Sequence, residues 1–253
     1  MKKALLRGRR LSKVFAQGQV KNKVLDRVDV DIYKKDFTII MGSSGAGKST
    51  LLYALSRMDT VTEGTVTYKD KELTRMKEKQ MAKLRAEEFG FVFQQTHLVS
   101  SLTLFENVAV AGFLSKKGSS GEIQKRARTL LTRMGVEKAE DRLPAQVSGG
   151  EAQRAAIARA MIGNPGLLFA DEPTGALNRS HSEEVLDLLT GLNQSGQSIL
   201  MVTHDLRAAV RGNRILYLED GKILDELELP AYKGAEDRHR ESRVSQWLSE
   251  LQW

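Results

Sequence analysis

The sequence predicts an α/β fold on a mostly parallel sheet, with an antiparallel β element and an inserted helical lobe. Three observations carry this. Short apolar runs alternate with helix-period segments. The first such run, Phe37-Thr38-Ile39-Ile40-Met41, passes through a glycine-rich turn into a helical pattern. The middle of the chain then abandons strand-length runs for helical spacing.

In chain order, Phe37 to Met41 is stopped by Gly42 and has the continuity of a buried strand. Thr50-Leu51-Leu52-Tyr53-Ala54-Leu55 follows as helix. Gly64 to Tyr68 alternates polar and apolar residues, which places the antiparallel element in the N-terminal half. Helical periodicity runs from about Leu102 to Met161, as in Ile123, Ala127, Leu130, Leu131 and Met134. It is interrupted by Lys116-Lys117-Gly118-Ser119-Ser120-Gly121, read as a loop, and the lobe is set at about 96–162. Gly166-Leu167-Leu168-Phe169-Ala170 and Ser198-Ile199-Leu200-Met201-Val202-Thr203 are further strands. Between them Val185, Leu188, Leu189 and Leu192 share one helix face, and Gly196 is the stop. Ile215 to Leu224 reads as a hairpin turning at Asp220-Gly221. In the tail from Pro230 to Trp253, Val244, Trp247, Leu248 and Leu251 form an apolar stripe on a charged helix. Docking on the chain's own core and contact with a membrane surface or partner protein both fit it.

Composition bounds the function. With 253 residues and 41% hydrophobic, the chain can bury a sizeable core, as one large domain or two small ones. With only 4 Pro and no excess of polar residues it is neither disordered nor collagen-like. It has no cysteine, which excludes a disulfide scaffold, a thiolate metal site and a cysteine nucleophile, and suits a reducing compartment. Met1-Lys2-Lys3-Ala4-Leu5-Leu6 starts like a signal peptide, but Arg7, Arg9 and Arg10 break the apolar stretch. No apolar run approaches the ~18 residues of a membrane span, so a soluble chain is expected. The net charge of +7 favours polyanionic partners: nucleic acid, anionic headgroups or nucleotide phosphates. The cations are scattered, with small clusters at Arg7 to Arg10 and Lys116-Lys117. With no aromatic-rich basic groove, nucleic acid is not an expected partner.

Three motifs carry chemistry. Gly42-Ser43-Ser44-Gly45-Ala46-Gly47-Lys48-Ser49 fits G-x-x-x-x-G-K-[ST] between a strand and a helix, the context that pattern requires. Its glycines let backbone N–H groups turn inward around phosphate oxygens, and the helix start adds partial positive charge. Lys48 is expected to reach the β- and γ-phosphates of a nucleoside triphosphate, and Ser49 to hold Mg2+. Next, Leu167 to Ala170 ends in Asp171-Glu172, two carboxylates at a strand's C-terminal tip, where α/β sheets bind ligands. Asp171 suits a water-mediated Mg2+ contact and Glu172 the polarisation of an attacking water. Finally, Val147-Ser148-Gly149-Gly150-Glu151-Ala152-Gln153-Arg154 opens a helix, read as Ala155 to Met161, with a second glycine pair. That is a second anion site, which a dimer can use if each chain completes its partner's pocket.

Ser148-Gly149-Gly150-Glu151 resembles the signature of ATP-binding-cassette (ABC) ATPases, and the other motifs fall in order over residues 1 to about 228. The resemblance implies a P-loop, RecA-like core in a 1–228 ATPase domain, followed by a 229–253 tail. It implies ATP contacts from Gly42 through Thr50 and from Phe15, where the family places an adenine-stacking aromatic. Gln94, in Phe91-Val92-Phe93-Gln94-Gln95, matches the Q-loop glutamine, a metal and coupling residue. Gly175-Ala176-Leu177-Asn178 matches the D-loop, with Asn178 where most relatives carry Asp. His204, in Val202-Thr203-His204-Asp205, matches the H-loop histidine, read as a γ-phosphate sensor. Ala152 stands where Gln is frequent, a change of little chemical weight. Glu172 and His204 are intact, so the resemblance implies two competent sites in an ATP-bound homodimer, with Ser148, Gly149, Gly150 and Glu151 serving the partner's ATP.

The wording of Phe91 to Leu98 and of Asp171 to Leu177 is similar to bacterial ATPases paired with macrolide-export, lipoprotein-release, cell-division and bacitracin-resistance permeases. Asn178 is most similar to the bacitracin-resistance type. The implied protein is cytoplasmic, peripheral on the inner face of the membrane, and drives a separate permease in export or antimicrobial-peptide resistance. The alternatives are an ATPase that pulls on a membrane partner without transport and a soluble ABC ATPase acting on nucleic acid or ribosomes. Members of the latter group usually carry two cassettes or a long coiled-coil insertion, and neither is in this sequence.

Overall fold

A computed structural model describes residues 3–18, 20–115, 118–234 and 238–251. The chain forms two compact units, Met1–Lys77 with Gly196–Trp253, and Glu78–Ser195. The start at Met1-Lys2, the Lys116-Lys117 pair and Trp253 lie outside the described residues.

The first unit opens with β1 (Ala4–Gln17) and β2 (Val20–Tyr33), a long antiparallel ribbon. β4 (Glu63–Tyr68) pairs antiparallel with the other edge of β1, and β5 (Lys71–Glu72) adds to β4. The sheet order is β2-β1-β4-β5. One face is apolar: Leu6, Leu11, Leu25, Val28, Val30, Ile32, Val66 and Tyr68 are buried. The alternation from Gly64 to Tyr68 reports this face correctly. β3 (Phe37–Met41) is buried at every position, and α1 (Lys48–Leu55) follows it across the glycine-rich turn.

The second unit runs through α2 (Glu78–Glu88), β6 (Phe89–Phe93), α3 (Leu104–Ser115), α4 (Ser120–Arg133), α5 (Gly149–Met161), β7 (Leu167–Asp171) and α6 (Arg179–Gln194). β6 and β7 are parallel, with Phe93 opposite Asp171. Phe169 is fully buried, edge-on to Phe89 at 5.0 Å and stacked on Phe91 at 5.4 Å. The helical stretch holds, with two corrections at helix starts. Ser120-Gly121 belong to α4 rather than to a loop, because Ser119 and Glu122 form a reciprocal capping box. α5 begins at Gly149 rather than near Ala155, for the same reason at Ser148 and Glu151. A side-chain cap, typically worth about 1 kcal/mol, offsets a glycine penalty of similar size that applies in full only in a helix interior.

The chain returns to the first unit with β8 (Ser198–Val202), α7 (Leu206–Ala209), β9 (Arg214–Glu219), β10 (Lys222–Glu228) and α8 (Arg238–Glu250). Strands of this unit lie in the order β10-β9-β3-β8; β3 is parallel to β8 and β9, and β10 is antiparallel to β9. The β9–β10 turn is Asp220-Gly221, with φ of 46° and 71°. This is the two-residue geometry that Asp-Gly favours. The α/β class, the mostly parallel strands and the antiparallel element are all present. The tail stripe is packed on the chain itself: Val244, Trp247 and Leu248 are buried, and the Trp247 ring meets Tyr217 edge-on at 6.3 Å. Among the described residues no helix is long and apolar enough to cross a membrane.

Candidate nucleotide site

In the first unit, β3 ends at Met41 and the chain enters the glycine-rich loop. A Cβ on Gly42 would stand 1.9 Å from the Leu218 carbonyl oxygen, and its φ is 150°, so only glycine passes here. The loop ends at Gly47, the N-cap of α1, and the first-turn N–H groups of that helix lack intrahelical acceptors. Lys48 begins the helix and folds back, its Nζ donating to the carbonyls of Gly42 at 2.9 Å and Ser43 at 2.7 Å. An ammonium held across the loop by two carbonyls is placed to donate to anionic oxygens. Ser44 and Gly45 are exposed, Ser49 and Thr50 half-buried, and Ala46 buried.

The loop is also tied to the β9–β10 hairpin. The Ser43 hydroxyl donates to Glu219 at 2.7 Å, and its backbone N–H donates to the same carboxylate at 3.3 Å. Tyr217 donates a third bond at 3.2 Å, and Gly221 N–H reaches the Ala46 carbonyl at 3.2 Å. The Ser43 hydroxyl holds the Glu219 carboxyl below its ordinary range against a smaller opposing effect of burial, and Lys48 adds to the lowering. Sequence reading missed Glu219, which stands 176 positions from Ser43 with no motif of its own.

His204 stands one residue beyond Thr203, which follows β8, and is exposed. Asp205 donates its N–H to Thr203 Oγ1 at 3.0 Å and caps α7 by accepting from Arg207 N at 2.9 Å. Burial raises the Asp205 pKa, but the Arg207 hydrogen bonds and charge outweigh it, and the net direction is down. Phe15 is an exposed ring on β1 with Lys13 Nζ 4.9 Å from its centroid. Lys13 is itself fixed by Asp59 at 2.7 Å and the Thr60 carbonyl at 2.6 Å.

In the second unit, Asp171 is the last, buried residue of β7, and Glu172 follows with φ 47°. That left-handed conformation costs about 1–2 kcal/mol for a residue with a Cβ and breaks the strand's alternation directly after Asp171. Gln94 leaves β6 next to this point, its Nε2 3.0 Å from where a Cβ on Gly175 would be. The structure therefore brings Gln94 together with the Asp171–Gly175 turn.

Gln153 lies in the signature stretch, in α5, and no motif marks it. It is buried, and its Nε2 donates to the carbonyls of Phe93 at 2.9 Å and Pro173 at 2.8 Å, tying the residues before Gln94 and after Glu172 to α5. Arg159, from the same helix, donates to the carbonyls of His97 and Thr96, each at 2.6 Å. Gln153→Ala leaves two acceptors of this junction unfilled. It is expected to destabilise the chain by about 2–4 kcal/mol, read as a lowered midpoint in urea unfolding.

Ser148 N-caps α5: its hydroxyl accepts from Glu151 N at 3.2 Å, while Glu151 accepts from the Ser148 N–H and hydroxyl at 2.8 Å each. The Ser148 N–H is the main cause that holds the Glu151 carboxyl below its usual range, followed by the hydroxyl. Glu151 thus has a local capping task. A Cβ on Gly150 would lie 2.7 Å from the His181 ring, which explains the glycine by close approach of α6. Asn178 N-caps α6 by accepting from His181 N at 3.0 Å.

Mg2+ and nucleotide chemistry fit these donors. Among the described residues no cluster of three metal-ligating side chains occurs. In the first unit Ser49 offers a hydroxyl; in the second, taken by itself, Asp171 and Gln94 offer a carboxylate and an amide oxygen. Such sparse oxygen donors suit a cation that keeps waters and takes most of its other ligands from phosphates.

The ABC transporter family profile matches residues 25–175. The chain is 40% identical over 218 residues to the macrolide export ATP-binding/permease protein MacB of Mannheimia succiniciproducens, covering 86% of this chain and 34% of that protein. It is 39% identical over 221 residues to an uncharacterized ABC transporter ATP-binding protein of Methanocaldococcus jannaschii, covering 87% of this chain and 98% of that one. The chain therefore spans about a third of the MacB relatives' length and nearly all of the archaeal relative's. A solved ATP-binding cassette, described as a dimeric post-hydrolysis state bound to ADP and Pi, is 36% identical with a TM-score of 0.84. The match covers 90% of this chain and all of that cassette. Family profile, relatives and fold agree with the motifs: the chain belongs to the ABC transporter family, as one of its ATP-binding, ATP-hydrolysing cassettes.

Proposed function

We propose that two copies of this chain close over two Mg-ATP and drive a membrane permease, in export or in resistance to antimicrobial peptides. The observation that carries the reading is one chain with two separate glycine-rich helix starts, one at Gly47-Lys48 and one at Ser148-Gly149-Gly150. A nucleotide needs both kinds of contact only if a second copy supplies the second. The permease and export are supported by the MacB relatives, macrolide export ATP-binding/permease proteins by name. The proposed location is the cytoplasmic face of the membrane.

In this reading Phe15 stacks on adenine, and the loop from Gly42 to Thr50 wraps the phosphates. Lys48 exchanges its two carbonyl partners for phosphate oxygens. Ser49, Asp171 and Gln94 hold Mg2+, which supplies charge neutralisation at the β- and γ-phosphates when bound. Glu172 accepts a hydrogen bond from the attacking water and orients it. His204 donates to the γ-phosphate, and Ser148, Gly149 and Gly150 of the second copy close the far side. Asn178 lies in the turn beside that interface. Glu151 fixes the helix start that carries Ser148.

The permease part is tested by reconstituting the chain in proteoliposomes with the permease encoded beside its gene. ATP turnover is expected to rise with the permease present. Gln94→Ala is expected to keep ATP binding and lose that stimulation, because Gln94 sits where β6 hands the chain to the helices. Full stimulation of the Gln94→Ala chain would rule out coupling through this glutamine.

A further inference from the structure

The family resemblance ends near residue 228, before α8 begins. α8 is fastened to the carbonyls that end α7. Arg240 is buried, and its guanidinium donates through Nε to the Val210 carbonyl, through Nη2 to Gly212 and through Nη1 to Pro230 at 2.7 Å. It also lies 5.6 Å from the Tyr232 ring centroid, and Arg211 lies 4.7 Å from the same centroid. Further along α8, Val244, Trp247 and Leu248 are buried, and Trp247 Nε1 donates to Asp225 at 2.7 Å. A buried guanidinium is costly unless its donors are paired, and here three carbonyls engage all three of its nitrogens.

Val210 and Gly212 close the segment that His204 opens. The near end of that segment is pinned to Thr203, the buried residue just after β8, through the bond from Asp205 N to Thr203 Oγ1. Between the pins lies α7, four residues long, far too short to hold its shape by itself. Its geometry is therefore set by what holds it: the bond at Asp205, the burial of Ala208 and Ala209, and Arg240 at the carbonyls beyond its end.

We infer that Arg240 is a positioning residue for His204, and that α8 serves as a clamp that sets where the imidazole stands. The inference rests on the reading of His204 as a γ-phosphate contact. A guanidinium fork meeting carbonyls on two sides of a turn fixes both position and angle, which an ammonium cannot do. Remote displacement of a catalytic group by about 1 Å can cost on the order of 10²-fold in rate.

The test is steady-state ATP turnover of the purified full chain and four variants, with ATP affinity measured separately by calorimetry without Mg2+. His204→Ala alone is expected to lose most turnover. Arg240→Ala is expected to lower kcat about 10-fold or more with the ATP Kd unchanged. Combined with His204→Ala, it should add no further loss. Arg240→Lys should fall between the unmodified chain and Arg240→Ala, and it carries the same comparisons if Arg240→Ala does not fold. An unchanged kcat in the Arg240 variants, with His204→Ala inactive, sinks this inference and leaves the reading of His204 standing. Losses that multiply in the double variant also sink it, since Arg240 would then act independently of His204. A fully active His204→Ala chain overturns both.

Discussion

Glu172→Gln is expected to cut ATP turnover by roughly 10²–10⁴-fold while ATP still binds. Glutamine keeps the side chain's size and its place after Asp171, but as a neutral amide it is a far weaker acceptor for the attacking water. The left-handed backbone at Glu172 is the local cost of that placement, and the substitution leaves it unaltered. Initial-rate phosphate release reads the loss, and a nucleotide titration reads the retained affinity. A variant that turns over at the unmodified rate would remove Glu172 from the chemistry.

Lys48→Ala is expected to weaken ATP binding by about 2–5 kcal/mol, or roughly 30- to 4,000-fold in Kd. The ammonium is the principal cation of the loop, and its hydrogen bonds go to the neutral carbonyls of Gly42 and Ser43, with the Glu219 carboxylate adding a charge interaction. Losing it leaves the phosphates with backbone N–H groups and the helix start alone. Calorimetric titration with ATP, beside a thermal melt to show the chain is folded, checks this. An unchanged Kd would mean that the loop does not hold phosphate through Lys48.

The residues that surround these two positions divide by how far apart in sequence they meet. β3, β7 and β8 were legible because every position in them is buried, so their apolar runs are continuous. β6 was read only as motif wording, since Gly90 interrupts its run and Phe91 and Phe93 are half-buried. α2 was not read, because Met81 is its one buried residue and no apolar stripe marks it. Gly42, Gly47 and Lys48 were legible as a local pattern that one turn of backbone satisfies. Glu219, Gln153 and Arg159 were not, because each acts on carbonyls, N–H groups or a hydroxyl of distant residues, which no spacing rule connects. The roles of Glu151 and Asn178 gained a local component: both cap helices, a task any globular protein would give such residues. The tail was legible as a stripe but not as a clamp, because Arg240 binds backbone carbonyls, and backbone carbonyls leave no trace in a sequence.

The central claim is that each nucleotide is shared between the loop of one copy and the Ser148 helix of another. It is tested most directly by light scattering behind a sizing column, using Glu172→Gln with ATP in excess, with and without an added Ser148→Arg. Slow hydrolysis lets a closed, ATP-bound pair accumulate, so Glu172→Gln is expected to elute as a dimer with ATP and as a monomer without it. Ser148→Arg puts a bulky cation where the second copy must approach the phosphates and removes the α5 cap, so the double variant is expected to remain monomeric. Dimers that form equally well without ATP, or a Glu172→Gln chain that binds ATP and stays monomeric, would contradict the shared site.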